Sequence, residues 1–345
     1  MDSLNKLNKI LLQGKRVLVR GDLDVPVQDG VITDPSRLEA MRETLDYLVL
    51  RNVKVILMGH LGRPEGKIVE ELRLTPIAEY LTSLGYDVIK LNVALGTELY
   101  QTLKVMEDGT ILLLENLRFD PREEKNDENF AKDIASFGDL YVNECFATSH
   151  REHASISQVP KFLDAYSGFR LEREIENINK VISNYETPLV AVFGGIKLET
   201  KLPVISKFLK ISDFVLLGGR LGINYETDNN YKILVPIDYL GDKEDIGPKT
   251  VKMFSNVIDT AKTVIWNGPM GKIEDDAYLS GTKEIAEAII NSKAFSLVGG
   301  GDTIEALNKL KITDKMSFVS MGGGAMLEYI SGNKLPGLLA LNFYE

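Results

Sequence analysis

The sequence predicts α/β architecture: two doubly wound, Rossmann-like domains with parallel sheets, joined by a helix. Three observations predict it. Short apolar, β-branched runs alternate with longer amphipathic stretches along all 345 residues, as strand–helix–strand units require. The runs are continuous instead of alternating in polarity, as in parallel sheets covered on both faces. Eleven such runs are many for one open sheet, and a long polar helical segment near the middle divides them.

In the first half the candidate strands are Val17–Val19, Val53–Leu57, Asp87–Lys90, Ile111–Leu114 and Leu140–Val142. In the second half they are Leu189–Phe193, Phe214–Leu217, Ile233–Val235, Thr263–Trp266, Ser296–Val298 and Ser317–Ser320. Helical periodicity fills Arg37–Val49, Thr75–Leu84, Asn129–Ser136 and Gly281–Ile290. The segment Glu172–Asn184, rich in Glu, Lys, Asn and Ile and followed by Pro188, is the natural connector. The expected division is therefore a first domain over 1–170, a connecting helix over 171–185 and a second domain over 186–333. The tail 334–345 is expected to pack back on the first domain.

Composition narrows the function. At 44% hydrophobic and 26% charged, the chain has the make-up of an ordinary globular protein. A net charge of −10 argues against nucleic acid as the main partner, since a phosphate backbone needs Lys and Arg over a broad surface. The single cysteine, Cys145, excludes an internal disulfide framework and fits a reducing compartment, with a buried inert thiol. The start of the chain lacks a signal-peptide pattern, and no apolar run approaches the roughly 18 residues of a membrane span. A cytoplasmic protein with no membrane partner is expected.

The first half concentrates cations at strand ends. All three histidines sit beside arginine. His60 lies in Gly59-His60-Leu61-Gly62-Arg63, directly after an apolar run, and His150 and His153 flank Arg151-Glu152. Arg118 follows a third run in Glu115-Asn116-Leu117-Arg118. Ligands of open parallel sheets bind at the carboxyl ends of strands. A concave cationic site in an acidic protein implies a small anionic ligand, phosphorylated for preference.

The second half supplies glycine loops after strands four times: Gly194-Gly195, Gly218-Gly219, Gly299-Gly300-Gly301 and Gly322-Gly323-Gly324. Such loops let backbone N–H groups and a helix N-terminus approach a phosphate. Gly218-Gly219 alone is equally well read as close helix–strand packing. Lys197 and Lys201, four apart, are expected on one helix face near its first turn. Asp302-Thr303 places a carboxylate and a hydroxyl where Mg²⁺ on a nucleotide would sit. Neither a P-loop nor a protein-kinase motif set is present.

Together the motifs resemble the phosphoglycerate kinase family along nearly the whole chain. The matching strings are Val19-Arg20-Gly21-Asp22-Leu23-Asp24-Val25-Pro26, Gly59-His60-Leu61-Gly62-Arg63-Pro64, Leu114-Glu115-Asn116-Leu117-Arg118-Phe119 and Val142-Asn143-Glu144. They continue with Thr148-Ser149-His150-Arg151-Glu152-His153-Ala154-Ser155, Gly194-Gly195-Ile196-Lys197, Trp266-Asn267-Gly268-Pro269-Met270-Gly271, Gly299-Gly300-Gly301-Asp302-Thr303 and Gly322-Gly323-Gly324-Ala325. The resemblance implies reversible phosphoryl transfer between 1,3-bisphosphoglycerate with ADP and 3-phosphoglycerate with ATP. It also implies Mg²⁺, a hinge between the domains, and a monomer whose partners are small molecules. The first domain would hold the acid through Asp22, Asp24, Arg37, His60, Arg63, Arg118 and Arg151. The second would hold nucleotide through Gly194, Gly195, Lys197, Lys201, Gly218, Gly219, Asn267, Pro269, Glu274, Gly300, Gly301, Asp302 and Thr303, with Asp302 on the metal. Arg37, Lys197, Lys201, Gly323 and Gly324 would act on the group in flight. A carboxylate acceptor is already ionised at neutral pH, so positioning and charge neutralisation suffice.

The chain also departs from the family pattern. Asp24 stands where the family has Asn, and the stretch between 220 and 245 is shortened by several dozen residues. Arg220 replaces a third glycine, Glu244 and Lys272 are polar at apolar positions near the adenine, Phe318 replaces a histidine and Met321 a threonine. Polar Glu244 and Lys272 in place of an apolar slot would weaken adenine stacking, unless the two form a salt bridge that itself packs the ring. The departures leave two alternatives open: a related carboxylate phosphotransferase using another acid or donor, and a non-catalytic phosphoglycerate-binding homologue.

Overall fold

The computed structural model describes residues 4–196, 201–225 and 230–344. The chain forms two compact units. The first runs to Glu174 and resumes at Lys334; the second is Ile175–Asn333.

In the first unit, β1 (Arg16–Arg20), β2 (Lys54–Met58), β3 (Val88–Lys90), β4 (Ile111–Leu113), β5 (Leu140–Asn143) and β6 (Ala165–Ser167) form one parallel sheet, ordered β3-β4-β2-β1-β5-β6. In the second, β7 (Leu189–Phe193), β8 (Phe214–Leu217), β9 (Ile233–Leu234), β10 (Thr263–Asn267), β11 (Phe295–Gly299) and β12 (Phe318–Ser320) form another, ordered β9-β8-β7-β10-β11-β12. Chain direction across the sheet reverses between β1 and β5 and between β7 and β10. These switch points open crevices beyond the strand ends, where ligands bind in such sheets.

The continuous apolar runs are explained by burial. Val17, Val19, Val55, Leu57, Leu113 and Val142 lie in one core; Val190, Val192, Leu216, Val264, Trp266 and Val298 lie in another. The connector is α1 (Phe169–Ile182), and the division between units falls inside it. At its start, Glu144 is fully buried at the end of β5. Its Oε1 accepts from Thr44 Oγ1 at 2.7 Å and from the Arg170 N–H at 3.0 Å. Burial pushes its carboxyl up to about 8.

Three details differ from the sequence expectation. β6 has no apolar run to announce it; an edge strand of three residues takes its order from pairing with β5. The helix expected over Arg37–Val49 breaks at Met41 into Ser36–Ala40 and Arg42–Val49. Lys201 is not on a helix face: it is the N-cap residue of α2 (Leu202–Ile211), which opens with a proline in its first turn. Lys197 lies outside the described residues.

After the second unit, the tail packs against the first. The Gly337 N–H donates to the Ser149 carbonyl at 2.9 Å, and Leu338, Leu341 and Phe343 are buried. Among the described residues no helix is long and apolar enough to cross a membrane.

Candidate active site

The first crevice is built from loops that leave β1, β2, β4 and β5. Arg20 ends β1 and is fully buried. Its Nε donates to Ser155 Oγ at 2.8 Å, and its Nη2 meets His60 Nδ1 at 3.0 Å. Ser155 Oγ donates to Glu123 Oε1 at 2.5 Å, and the Ser155 N–H donates to Glu123 Oε2 at 2.9 Å. Two residues past β1, Asp22 accepts from Arg37 Nη1 at 2.9 Å. Burial pushes the Asp22 carboxyl up, against the pull of Arg37. Asp24 accepts from the Gly62 N–H at 2.9 Å, and its other oxygen stands 3.8 Å from His60 Nε2. Arg118 donates to the Gly62 carbonyl at 2.8 Å and pairs with Glu124 at 3.3 Å.

Positive charge is crowded here. Burial, with Arg20 and Arg118 next, holds His60 well below the ordinary imidazole range. Burial and the same arginines, with Arg151, push His153 down to about 4. Burial, then Arg20 and Arg151, also lower Arg118. His153 is buried, and its Nδ1 has no hydrogen-bond partner. A buried donor-acceptor left unmade among cations marks a place for an anion. Arg63 and Arg151 are exposed. Cys145 lies beneath, its thiol pushed up to about 11 by burial. It is inert in this setting.

Sequence reasoning quoted Arg20 but gave it no role. The signal was present: a cation closing an otherwise apolar strand must find a partner inside the protein. His153 counted among the protonatable groups at the strand ends, and Ser155 stood in a matching string, but neither they nor Glu123 had a role, since burial is invisible in a single sequence.

The second crevice holds two adjoining cavities. One, of about 330 Å³, is lined by Lys201, Asn267, Gly268, Gly300, Asp302 and Gly323 among others. The starts of α3 (Gly301–Lys309) and α4 (Gly323–Ile330) border it. Two loops meet there: a Cβ on Gly323 would come within 3.0 Å of Gly300 Cα. Gly300 itself has φ +104°, a conformation that favours glycine. Lys201 Nζ donates to the Gly194 carbonyl and, at 3.2 Å, to the Asn267 carbonyl. Burial pushes this amine down to about 8, while Asp302 pulls the other way. Thr303 Oγ1 accepts the Gly268 N–H at 2.7 Å, and the Asn267 amide donates to the Gly299 carbonyl at 2.8 Å.

The second cavity, about 270 Å³, shares Gly195, Ile196 and Asp302 with the first and adds Gly219, Arg220, Glu244, Pro269, Lys272 and Glu274. Here Glu244 forms its ion pair with Arg220, not with Lys272. Arg220 Nη2 donates to Glu244 Oε1 at 2.9 Å, whereas Lys272 gives Glu244 only its backbone N–H. Gly194 and Gly218 line neither cavity. They are packing positions, where a Cβ would run into the Pro269 carbonyl oxygen and Met270 Sδ.

Asp302 is the one expected metal ligand. Among the described residues no three carboxylate, His or Cys groups gather as a ready-made metal cage. A single exposed carboxylate beside a cavity bordered by helix N-termini suits a hard cation that takes its remaining oxygens from phosphate and water. The residues therefore fit Mg²⁺ on a nucleotide.

An arginine-lined crevice on one doubly wound unit and a lysine, glycine and helix-terminus crevice on the other define a phosphoryl-transfer enzyme. A family profile for phosphoglycerate kinase matches residues 7–238 and 235–333. The phosphoglycerate kinase of Moorella thermoacetica is 38% identical over 385 aligned positions, covering 97% of this chain and 98% of that protein. That of Borreliella burgdorferi is 36% identical over 378, covering 95% and 96%. Solved phosphoglycerate kinases from Coxiella burnetii (30% identity, TM-score 0.84) and Pyrococcus horikoshii (28%, 0.87) each match over 99% of both chains. The chain belongs to the phosphoglycerate kinase family. The Moorella alignment has more positions than this chain's 345 residues, and the two profile matches meet at 235–238, inside the shortened stretch.

Proposed function

We propose that the first unit binds 3-phosphoglycerate and the second binds Mg-nucleotide, with this chain's own residues serving the family reaction as follows. Arg37, His60, Arg63, Arg118 and Arg151 hold the acid, its phosphate balancing the cationic crevice. Asp22 orients Arg37 through their ion pair. Asp24 accepts the Gly62 N–H and shapes the loop that carries His60 and Arg63. Lys201 and the backbone N–H groups of Gly323 and Gly324 face the transferred phosphoryl group, and Lys197 completes the expected set. Asn267, Thr303 and Glu274 border the nucleotide. Asp302 holds Mg²⁺, which when bound neutralises charge on the nucleotide phosphates. Because the accepting carboxylate needs no base, Lys201 acts by charge, and it is desolvated enough to act strongly. The enzyme is a cytoplasmic monomer that acts on small molecules.

The observation that carries this reading is the pairing of chemistries at the two switch points: arginines around an unpartnered buried His153 in one, Lys201 and Asp302 around a glycine cradle in the other. Calorimetric titration with 3-phosphoglycerate and with Mg-ATP, followed by an assay of 1,3-bisphosphoglycerate formation, tests it. Binding of both with turnover is expected. Binding of 3-phosphoglycerate without turnover in the presence of Mg-ATP would leave only a phosphoglycerate-binding homologue.

A further inference from the structure

Glu123, Ser155 and Arg20 have no part in the roles just assigned, yet they form a buried hydrogen-bonded chain that ends on His60, one of the acid-holding residues. Arginine has only donors and keeps its proton at any ordinary pH. The contact between Arg20 Nη2 and His60 Nδ1, at 3.0 Å, therefore requires Nδ1 to be the acceptor. A neutral imidazole that accepts at Nδ1 carries its hydrogen on Nε2.

We propose that Arg20, held by Ser155 and Glu123, locks His60 in the tautomer with its proton on Nε2, making His60 a fixed hydrogen-bond donor toward the bound acid. Glu123 and Ser155 are positioning residues: they act through Arg20. Each link is geometrically specified. Ser155 Oγ accepts from Arg20 Nε and spends its own hydrogen on Glu123 Oε1, so the hydroxyl cannot reverse without breaking both bonds. Glu123 Oε2 is taken by the Ser155 N–H, and Tyr141 Oη donates to the Ser155 carbonyl at 2.9 Å, which fixes that turn. Arg20, Ser155, Glu123 and His60 are all buried, so water offers no alternative partner.

The lock has a chemical purpose. An unconstrained imidazole would populate both tautomers, and the molecules with the hydrogen on Nδ1 would offer a lone pair to an anion. It would also gain a proton near neutrality. The groups facing His60 are Arg20 from β1, Arg37 from the helix Ser36–Ala40, Arg118 after β4, and His153, with the Asp24 carboxylate 3.8 Å from Nε2 and Asp22 paired to Arg37. Burial and these cationic or protonatable neighbours keep the ring neutral, and Arg20 then decides which nitrogen donates. Asp24, 3.8 Å from Nε2, sits on the donating side and competes with the substrate for that hydrogen.

This inference rests on the acid-site reading for its ligand, but the tautomer can be read without one. Full-length protein labelled with ¹⁵N-histidine has three imidazoles to resolve, and His60→Gln assigns the third. Long-range ¹H–¹⁵N correlation is expected to show hydrogen on Nε2 alone from about pH 5 to about pH 8. Ser155→Ala and Glu123→Gln are expected to mix the tautomers and to weaken 3-phosphoglycerate roughly 10-fold. Ser155→Thr is expected to restore both. Mg-ATP affinity in each variant reports that the rest of the chain is folded. Hydrogen on Nδ1 in the unaltered protein, or an unchanged single tautomer in both disrupting variants, overturns the lock. An unaltered protein that shows the lock but ignores 3-phosphoglycerate overturns the donor role together with the acid-site reading.

Discussion

Arg220 donates to Glu244 across 2.9 Å at the edge of the cavity of about 270 Å³ in the second unit. The pair stands where the chain is shortened and where relatives carry more residues. A half-exposed ion pair covers a base less well than apolar side chains do. Uncovering about 50–100 Å² of base costs about 1–2.5 kcal/mol, roughly 5–70-fold in affinity. Nucleotide binding is therefore expected to be weak and tolerant of the base. Parallel titrations with Mg-ATP and Mg-GTP check this; tight ATP binding with strong rejection of GTP would refute it.

Lys201 is expected to couple nucleotide binding to proton uptake. Its amine is lowered to about 8 by burial. A bound polyphosphate favours the charged form and raises that value, so near pH 8 the complex takes up protons as it forms. Calorimetry in two buffers of different ionisation enthalpy measures the uptake. Lys201→Ala should abolish it and lower kcat far more than it raises the nucleotide KM.

Replacing Arg63 or Arg151 by alanine is expected to weaken 3-phosphoglycerate by about 1.5–3 kcal/mol each, on the order of 10–150-fold. Both are exposed side chains, so folding should be untouched and calorimetry suffices. Unchanged affinity in both variants would remove them from the acid site.

Asp302→Asn should raise the Mg²⁺ concentration needed for half-maximal rate, because one of the few protein oxygens on the ion loses its charge. A Mg²⁺ titration of initial rate reads this directly; an unmoved midpoint would rule Asp302 out.

Glu144 predicts a pH-dependent stability with a definite sign. Its carboxyl sits at about 8 in the folded chain against an ordinary 4.5. Its contribution is complete below 4.5 and is lost as pH rises towards 8, because the unfolded chain ionises first. Glu144→Gln should therefore be the more stable protein at alkaline pH, with the advantage shrinking as pH falls. Urea midpoints measured across this range test it.

The strands were legible because they are buried on both faces: Leu189–Phe193 is apolar at every position and was read to the residue. Ala165–Ser167 was not, since pairing with β5 makes that strand and its own residues do not. At the sites, motif order showed which loops matter, but not which side chains meet. Arg20 and Lys272 show the two failures. Arg20 looked like an ordinary charge and is a buried hub, because only the fold reveals what surrounds it. Lys272 was one conceivable partner of Glu244, but Arg220, 24 residues before Glu244, makes the ion pair.

The tail that returns to the first unit sets an order on synthesis. Leu338, Leu341 and Phe343 are interior to a unit whose other residues leave the ribosome long before them. The second unit is one continuous segment and has all its parts when residue 333 emerges. Nascent chains usually mature from the amino end. In this protein the later-made unit can finish first, and the earlier one waits, its last apolar seam uncovered, until residues 334–345 have been made.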